Sequence, residues 1–531
     1  VLALGLVLVV IGHTAAPSVS LPARQSQTVA SAAKILVGQA GLIEVSAADL
    51  ISSDLGWKSI DPTSVRLFFQ DRQQPVWLEG QGAALTLKFY GQAADSRYTR
   101  ENAYFFQIDQ SLVPPLPMLT QTLVERSSGA IDHYTATLHA EENFLYSPLV
   151  ANGDHWFWAQ LPAPQSKMFT VELSAVVDGP AQLTIGVWGS TEASASPDHH
   201  LRIKINRQNV ADQTWDGIAR NTLKADLPRG LLVAGSNIIQ IEAPGDTGVA
   251  ADITFLDWIE IRYLRHFVAE NDRLEFDGVD GAVQLSGFSG PIDLFDITVP
   301  DRLVRLIGPS TLTQGSIEIG VQADHHYMAV GPHGYQSAVR IVPAATSPDL
   351  KAADNGADYI AIGPADLLAP LQPLLNWHQT QNLKVVAIPA ETIYDQFGNG
   401  LPEPEAIHSF VQYAVQHWTP APKFVLLVGD ATYDPLGYSG LPDGNRLPTF
   451  LVQTVYGGET ASDVGFVQLN DDPWPDMPIG RVPARTAEQV TTWVNKTLAY
   501  EQSAPVGDWR QRILAVADGQ ESSFQSEAAA F

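Results

Sequence analysis

From residue 349 onward the chain alternates short apolar runs with segments that carry apolar residues at helical spacing. "DYIAIGP" (358–364), "LKVVAIPA" (383–390), "KFVLLVGD" (423–430) and "RILAVAD" (512–518) read as strands. "ADLLAPLQPLLNWHQTQN" (365–382), "PEPEAIHSFVQYAVQHW" (402–418) and "TAEQVTTWVNKTLAYEQ" (486–502) read as helices, the last with Thr486 as its N-cap. Strands that are apolar at nearly every position are buried on both faces, and strands alternating with helices pair in parallel through crossovers. The pattern predicts a mainly parallel sheet covered on both sides. Function in such sheets gathers at the carboxyl ends of the strands. Asp430, after "FVLLVG", and Asp518, after "RILAVA", both stand at that position.

The residues before 349 follow a different rule. Between 30 and 130 short strand-like runs such as "VRLFFQ", "ALTLKFYG" and "AYFFQID" are punctuated by Gly, Asp and Pro, which predicts an all-β domain. Residues 131–266 alternate apolar and polar positions in "FTVELSAVV", "LRIKINRQNV" and "DITFLDWIEIRYLR". Period two means one buried and one solvated face, hence a β-sandwich of jelly-roll type. "KINRQNVADQTWDG" has the pattern of a hairpin. Residues 267–345 continue in short strands and read as a connecting β domain. With 531 residues the chain exceeds one core, in line with about three to five domains.

The sandwich holds Trp156, Trp158, Trp188, Trp215 and Trp258. Indole faces stack on sugars, so a glycan or cell-surface contact is admitted, while the core of a sandwich consumes the same side chains. The net charge of −27, from 58 acids and 31 bases, repels nucleic acid and anionic lipid and removes both as partners. No cysteine occurs, which rules out disulfides and thiolate metal sites within the chain. "VLALGLVLVVIG" (1–12), followed by small and polar residues, reads over 1–22 as the remnant of a secretory signal peptide. The mature chain is then expected to lack a stable membrane span and to be secreted or held at the cell surface.

Self-contained catalytic motifs are missing: "GFSGP" and "GYSGL" fail the nucleophile-elbow spacing, and no phosphate-binding loop occurs. "DHH" occurs at 198–200 and 324–326, but adjacent side chains on a strand point to opposite faces and chelate one ion poorly. His378, His408 and His417 fall in predicted helices. "NDDPWPD" (470–476) gathers Asp471, Asp472 and Asp476 in a proline-stiffened loop, the oxygen donors that calcium takes, without the glycine and terminal Glu of an EF-hand. Calcium is admitted there, and no cofactor is required.

In order along the chain, "DYIAIGP", "ETIYDQFGNGLPEPEAIHSFVQYA", "PKFVLLVGDATYDP", "LPTFLVQT…GETASDVGFV", "DDPWPDMPIGRVPART" and "LAYEQ" resemble the gingipain-type cysteine peptidases, relatives of the caspases. The resemblance spans roughly 355–518 and implies an incomplete caspase-like α/β domain over 346–531. In that family a His in a Gly-His-Gly turn and a later Cys form the catalytic dyad, beyond the strand that matches "RILAVAD". The resemblance makes Asp518 the acid that orients the His and a protein or peptide the substrate. It implies a fragment of a secreted cysteine endopeptidase, inactive over residues 1–531. The alternative of a different class is a noncatalytic surface or adhesion protein that uses a degenerate caspase-like scaffold with β-sandwich binding modules.

Overall fold

The computed structural model describes residues 32–530 except 54, 109–114, 124–130, 152, 309–316, 346, 441–443, 456, 471, 504 and 521. The expected signal-peptide remnant and Asp471 lie outside the described residues.

The N-terminal domain is a five-stranded sheet in the order Arg340–Pro343, Ala32–Val37, Asn102–Ile108, Val65–Phe69, Arg72–Gln73. It shares a core (Ile35, Leu67, Phe106 with Ile43, Leu87, Phe89) with a three-stranded sheet of Gly41–Ser46, Thr86–Gly91 and Trp77–Glu79. The strand Arg340–Pro343 brings the chain back to this domain after two others have been built. In the connecting domain the edge pairing is parallel, Val304–Ile307 against Leu119–Thr122. The two domains are therefore woven together by backbone hydrogen bonds.

The sandwich packs two antiparallel sheets. One runs Ala159–Pro162, Ile253–His266, Ala181–Gly189, Arg220–Leu227, with His133–Glu141 also on Ile253–His266. The other runs Gln165–Leu173, Gly235–Ala243, His199–Ile205, Gln208–Trp215. Alternate residues such as Leu183, Ile185, Ile259 and Ile261 meet Val171, Leu201, Ile203, Ile239 and Ile241 in one core. The expected hairpin forms, with Asn206 and Arg207 at φ +50° and +75° in its two-residue turn. Trp156 and Trp188 are buried, and Trp158, Trp215 and Trp258 are partly buried. Gly186 makes room for one of them: a Cβ there would stand 2.5 Å from the Trp258 indole.

The C-terminal domain contains β1 (Tyr359–Gly363), α1 (Gln372–Thr380), β2 (Val385–Pro389), α2 (Ala390–Phe397), α3 (Pro404–His417), β3 (Phe424–Val428), the hairpin β4 (Phe450–Thr454) and β5 (Gly458–Ser462), β6 (Ile479–Val482) and α4 (Ala487–Ser503). Its sheet runs β2-β1-β3-β6, every pair parallel. Ile360, Ile362, Val425 and Leu427 face α2 and α3, whereas Ala361, Leu426 and Val428 face α1 and α4. Both faces are covered, as the apolar strands require. Thr486 caps α4: its Oγ1 accepts from Gln489 N at 3.3 Å and its own N–H donates to Gln489 Oε1.

The strand expected over 512–518 is a correction. Among the described residues the segment pairs with no strand, and Ile513, Leu514 and Val516 are 79%, 86% and 85% exposed. The place beside β3 is taken by β6, a four-residue strand between Pro478 and Pro483, too short for an apolar run to reveal. Among the described residues no helix is long and apolar enough to cross a membrane.

Candidate functional site

The carboxyl edge of β1, β3 and β6 is where a parallel sheet offers a site. β3 runs into Gly429, whose φ of +142° disfavours any side chain and where a Cβ would stand 2.9 Å from Leu447 Cβ. The chain turns there, and Asp430 lies on the rim. Its N–H donates to the Ala484 carbonyl at 3.0 Å, beyond β6, and its own carbonyl accepts from Arg446 and Leu447 N–H. Its Oδ2 accepts from Arg485 Nε at 2.8 Å. Asp434, buried four residues on, accepts from Tyr438 N, Ser439 N and Ser439 Oγ at 2.6–2.8 Å. Both acids of this stretch hold rim loops in place.

Arg481 on β6 braces the same edge. Its guanidinium donates to the carbonyls of Gly429, Leu447 and Pro448 and pairs both Asp463 oxygens at 2.7 and 2.8 Å. Arg446 reaches across to Asp366 after β1. The loop between β3 and β6 is thus fixed to the strand ends by a row of arginines.

The far side of that loop is the β4–β5 hairpin, and it carries a buried acid. The Glu459 side chain is 4% exposed. It accepts two parallel hydrogen bonds from Arg97 of the N-terminal domain, one from Tyr146 Oη of the sandwich at 2.9 Å, and faces His155 Nε2 at 3.3 Å. Burial works against its charge, but Arg97 and Tyr146 outweigh this and hold the carboxyl below its ordinary value. Tyr146 and Trp156 pack on Tyr433, Trp156 also on Tyr438, and Arg100 covers the Tyr438 ring. Three domains meet on the loop that leaves the rim.

The other residues singled out in the sequence fall elsewhere. Asp518 is exposed, and its Oδ1 accepts from Gln520 N at 2.7 Å. Asp476 accepts from Leu469 N and Asn470 Nδ2, and Asp472 Oδ1 from Trp474 N, so the loop's own N–H groups occupy these carboxylates. A different trio of acids comes together: the carboxylates of Glu141, Asp154 and Asp257 lie within 4.8 Å of one another, with Arg220 Nη1 2.7 Å from Asp257. His408 and His417 bind the carbonyls of Gly465 and Tyr413, and His378 stands 3.4 Å from Glu501. The paired histidines separate as strand geometry requires: His199 meets Asp252, and His200 meets Asp246 and Asp212.

Sequence reasoning missed Arg97, Tyr146, Glu459 and Arg481, which come from segments far apart in the chain. The one local signal was the acid in "GETASD", placed in a tight hairpin beside a glycine.

Over 94% of its length the chain matches the crystal structure of dimeric latent PorU from Porphyromonas gingivalis, with a TM-score of 0.68 and 18% identity. It spans 52% of that chain. A structure described only as a protease matches 29% of this chain and 30% of its own, at TM-score 0.21 and 20% identity. A family 36 carbohydrate-binding module in complex with calcium and xylotriose matches 24% of this chain and 98% of its own, at TM-score 0.17 and 13% identity. No curated protein matches the chain. Residues 352–530 match the model of peptidase family C25. The C-terminal domain of this chain, which carries the parallel sheet and the arginine-braced rim, is thus similar to peptidase family C25, the gingipain family, over residues 352–530.

Proposed function

We propose that this chain is part of a secreted cysteine endopeptidase whose thiol and imidazole come from residues beyond 531. The match of residues 352–530 to a cysteine-peptidase family carries this reading. The structure supports it through four parallel strands whose carboxyl edge is fixed in place before any catalytic group is added. Preorganisation of that kind is what nucleophilic catalysis needs, because a loosely held dyad loses the near-attack geometry.

In this reading the thiolate attacks the peptide carbonyl, the imidazole transfers protons, and an acid holds the imidazole in its useful tautomer. Asp518 takes the last role, and its exposure leaves its second oxygen accessible to an imidazole N–H. The substrate is a protein or peptide, and residues 1–531, without a cysteine, do not cleave it.

The test is labelling of the full-length gene product with a thiol-reactive peptidyl probe, followed by mass spectrometry. The proposal expects modification of one cysteine downstream of residue 531, and loss of labelling when the neighbouring histidine is replaced. A full-length product without such a cysteine would instead establish the noncatalytic scaffold.

A further inference from the structure

The strand His199–Ile205 opens with two histidines on opposite faces. His199 turns inward. Its Nδ1 lies 2.7 Å from Asp252 Oδ1 and its Nε2 3.0 Å from the Thr191 carbonyl. His200 enters a box of charges: its Nδ1 lies 2.5 Å from Asp246 Oδ1 and its Nε2 2.6 Å from Asp212 Oδ1. Arg202, on the same face, reaches the second oxygens of the same acids at 3.1 Å to Asp212 and 2.8 Å to Asp246. An ionised carboxylate only accepts, so the contacts of both His200 ring nitrogens are satisfied together only when both donate, as in an imidazolium.

The two acids are anchored differently. Asp212 sits on the strand Gln208–Trp215, in register opposite Arg202, and the ladder holds it. Asp246 lies in the loop 244–252, which carries the chain from the strand Gly235–Ala243 in one sheet to Ile253–His266 in the other. Its side chain is 47% exposed. The far end of that loop is pinned by Asp252, buried against His199 and the His200 N–H. When His200 is neutral, one ring nitrogen presents a lone pair to a carboxylate at hydrogen-bond distance. The acid on the strand cannot retreat, and the acid on the loop can.

We propose that His200 is a proton-controlled latch, which closes the 244–252 loop over the end of the sandwich through Asp246 and releases it when the ring loses its proton. The remaining charges around the box are already engaged. Glu242, opposite Arg202 on the neighbouring strand, pairs with Lys204. Asp198 accepts from Ala193 and Gly217 N–H, and Asp216 from Ser196 and the Asp198 N–H. Burial of the His200 ring disfavours its charge, but Asp246 and Asp212 outweigh this and raise its pKa above the ordinary value. A raised histidine pKa keeps closure complete below about pH 6.5, and closure is lost as pH rises through the raised value. Release is therefore alkaline.

The experiment is pulsed hydrogen–deuterium exchange on residues 1–531 at pH 5.5 and 8.5, corrected for intrinsic rates and read on peptides covering 244–252. In the native chain, exchange there rises about tenfold at pH 8.5 while the core strand Ala181–Gly189 stays protected. Asp246→Asn puts an amide N–H where the neutral ring presents its lone pair, and the loop then stays protected at both pH values. His200→Gln opens it at both. Equal protection of the native loop at the two pH values overturns the proposal. So does an Asp246→Asn loop that opens with pH as the native one does, a result that remains readable if His200→Gln fails to fold.

Discussion

Arg97 and Glu459, 362 positions apart in the chain, meet in a fork in which each guanidinium Nη lies 2.8 Å from one carboxylate oxygen. The pair ties the N-terminal domain to the hairpin that leaves the carboxyl rim of the parallel sheet. Bidentate geometry and the burial of the acid make this bridge stronger than a surface pair. Arg97→Ala leaves Glu459 with Tyr146 and His155 alone and is expected to destabilise the chain by about 2–3 kcal/mol. Urea denaturation measures it, and a loss under about 0.5 kcal/mol would show that the domains do not depend on the fork.

The Asp430–Arg485 pair on the rim contrasts with it. Arg485 is 53% exposed and the contact is a single 2.8 Å bond. Arg485→Ala is expected to change stability by no more than about 1 kcal/mol, less at high salt. Its unfolding midpoint in low and high salt checks this.

Gly363 closes β1 where it runs beside β3. A Cβ there would stand 2.4 Å from the Val428 carbonyl oxygen, a backbone atom within the sheet that cannot swing aside. Gly363→Ala is expected to cost about 1–3 kcal/mol and to loosen exchange protection in β3. Unchanged protection of residues 424–428 would count against a tightly built edge.

Asp257 supplies a pH test. Burial raises its carboxyl from 3.8 to about 6; Arg220 opposes the shift, and Asp154 and Glu141 reinforce it. The folded state thus holds this proton more tightly than the unfolded chain. The associated stability is fully present below the ordinary value and is lost as pH rises toward 6. Asp257→Asn should flatten that part of the stability profile between pH 4 and 7, measured as urea midpoints. An unchanged slope would assign it to other groups.

Much of the architecture was legible because it follows from periodicity. Apolar runs such as "FVLLV" need burial on both faces, and alternating runs such as "LRIKI" need it on one; the parallel sheet and the sandwich result. "RILAVA" misled for the same reason, since periodicity states what a segment could bury and not whether a partner strand lies beside it. β6 went unseen because four residues between prolines carry too little pattern. Asp430 could be placed on the rim but its role not assigned, because its partner Arg485 is fixed by loop geometry. The Lys34–Asp395 bridge between the first strand and α2, 361 positions apart, is likewise invisible to any local rule.

Proteolysis decides whether this chain supplies the fixed half of a cysteine-peptidase site. Cleavage of an unfolded protein substrate is followed for the full-length gene product, with and without iodoacetamide, beside residues 1–531 alone. The expected result is cleavage by the full-length product, its abolition by the alkylating agent, and none by residues 1–531. Cleavage by residues 1–531, or cleavage by the full-length product that survives alkylation, would contradict it.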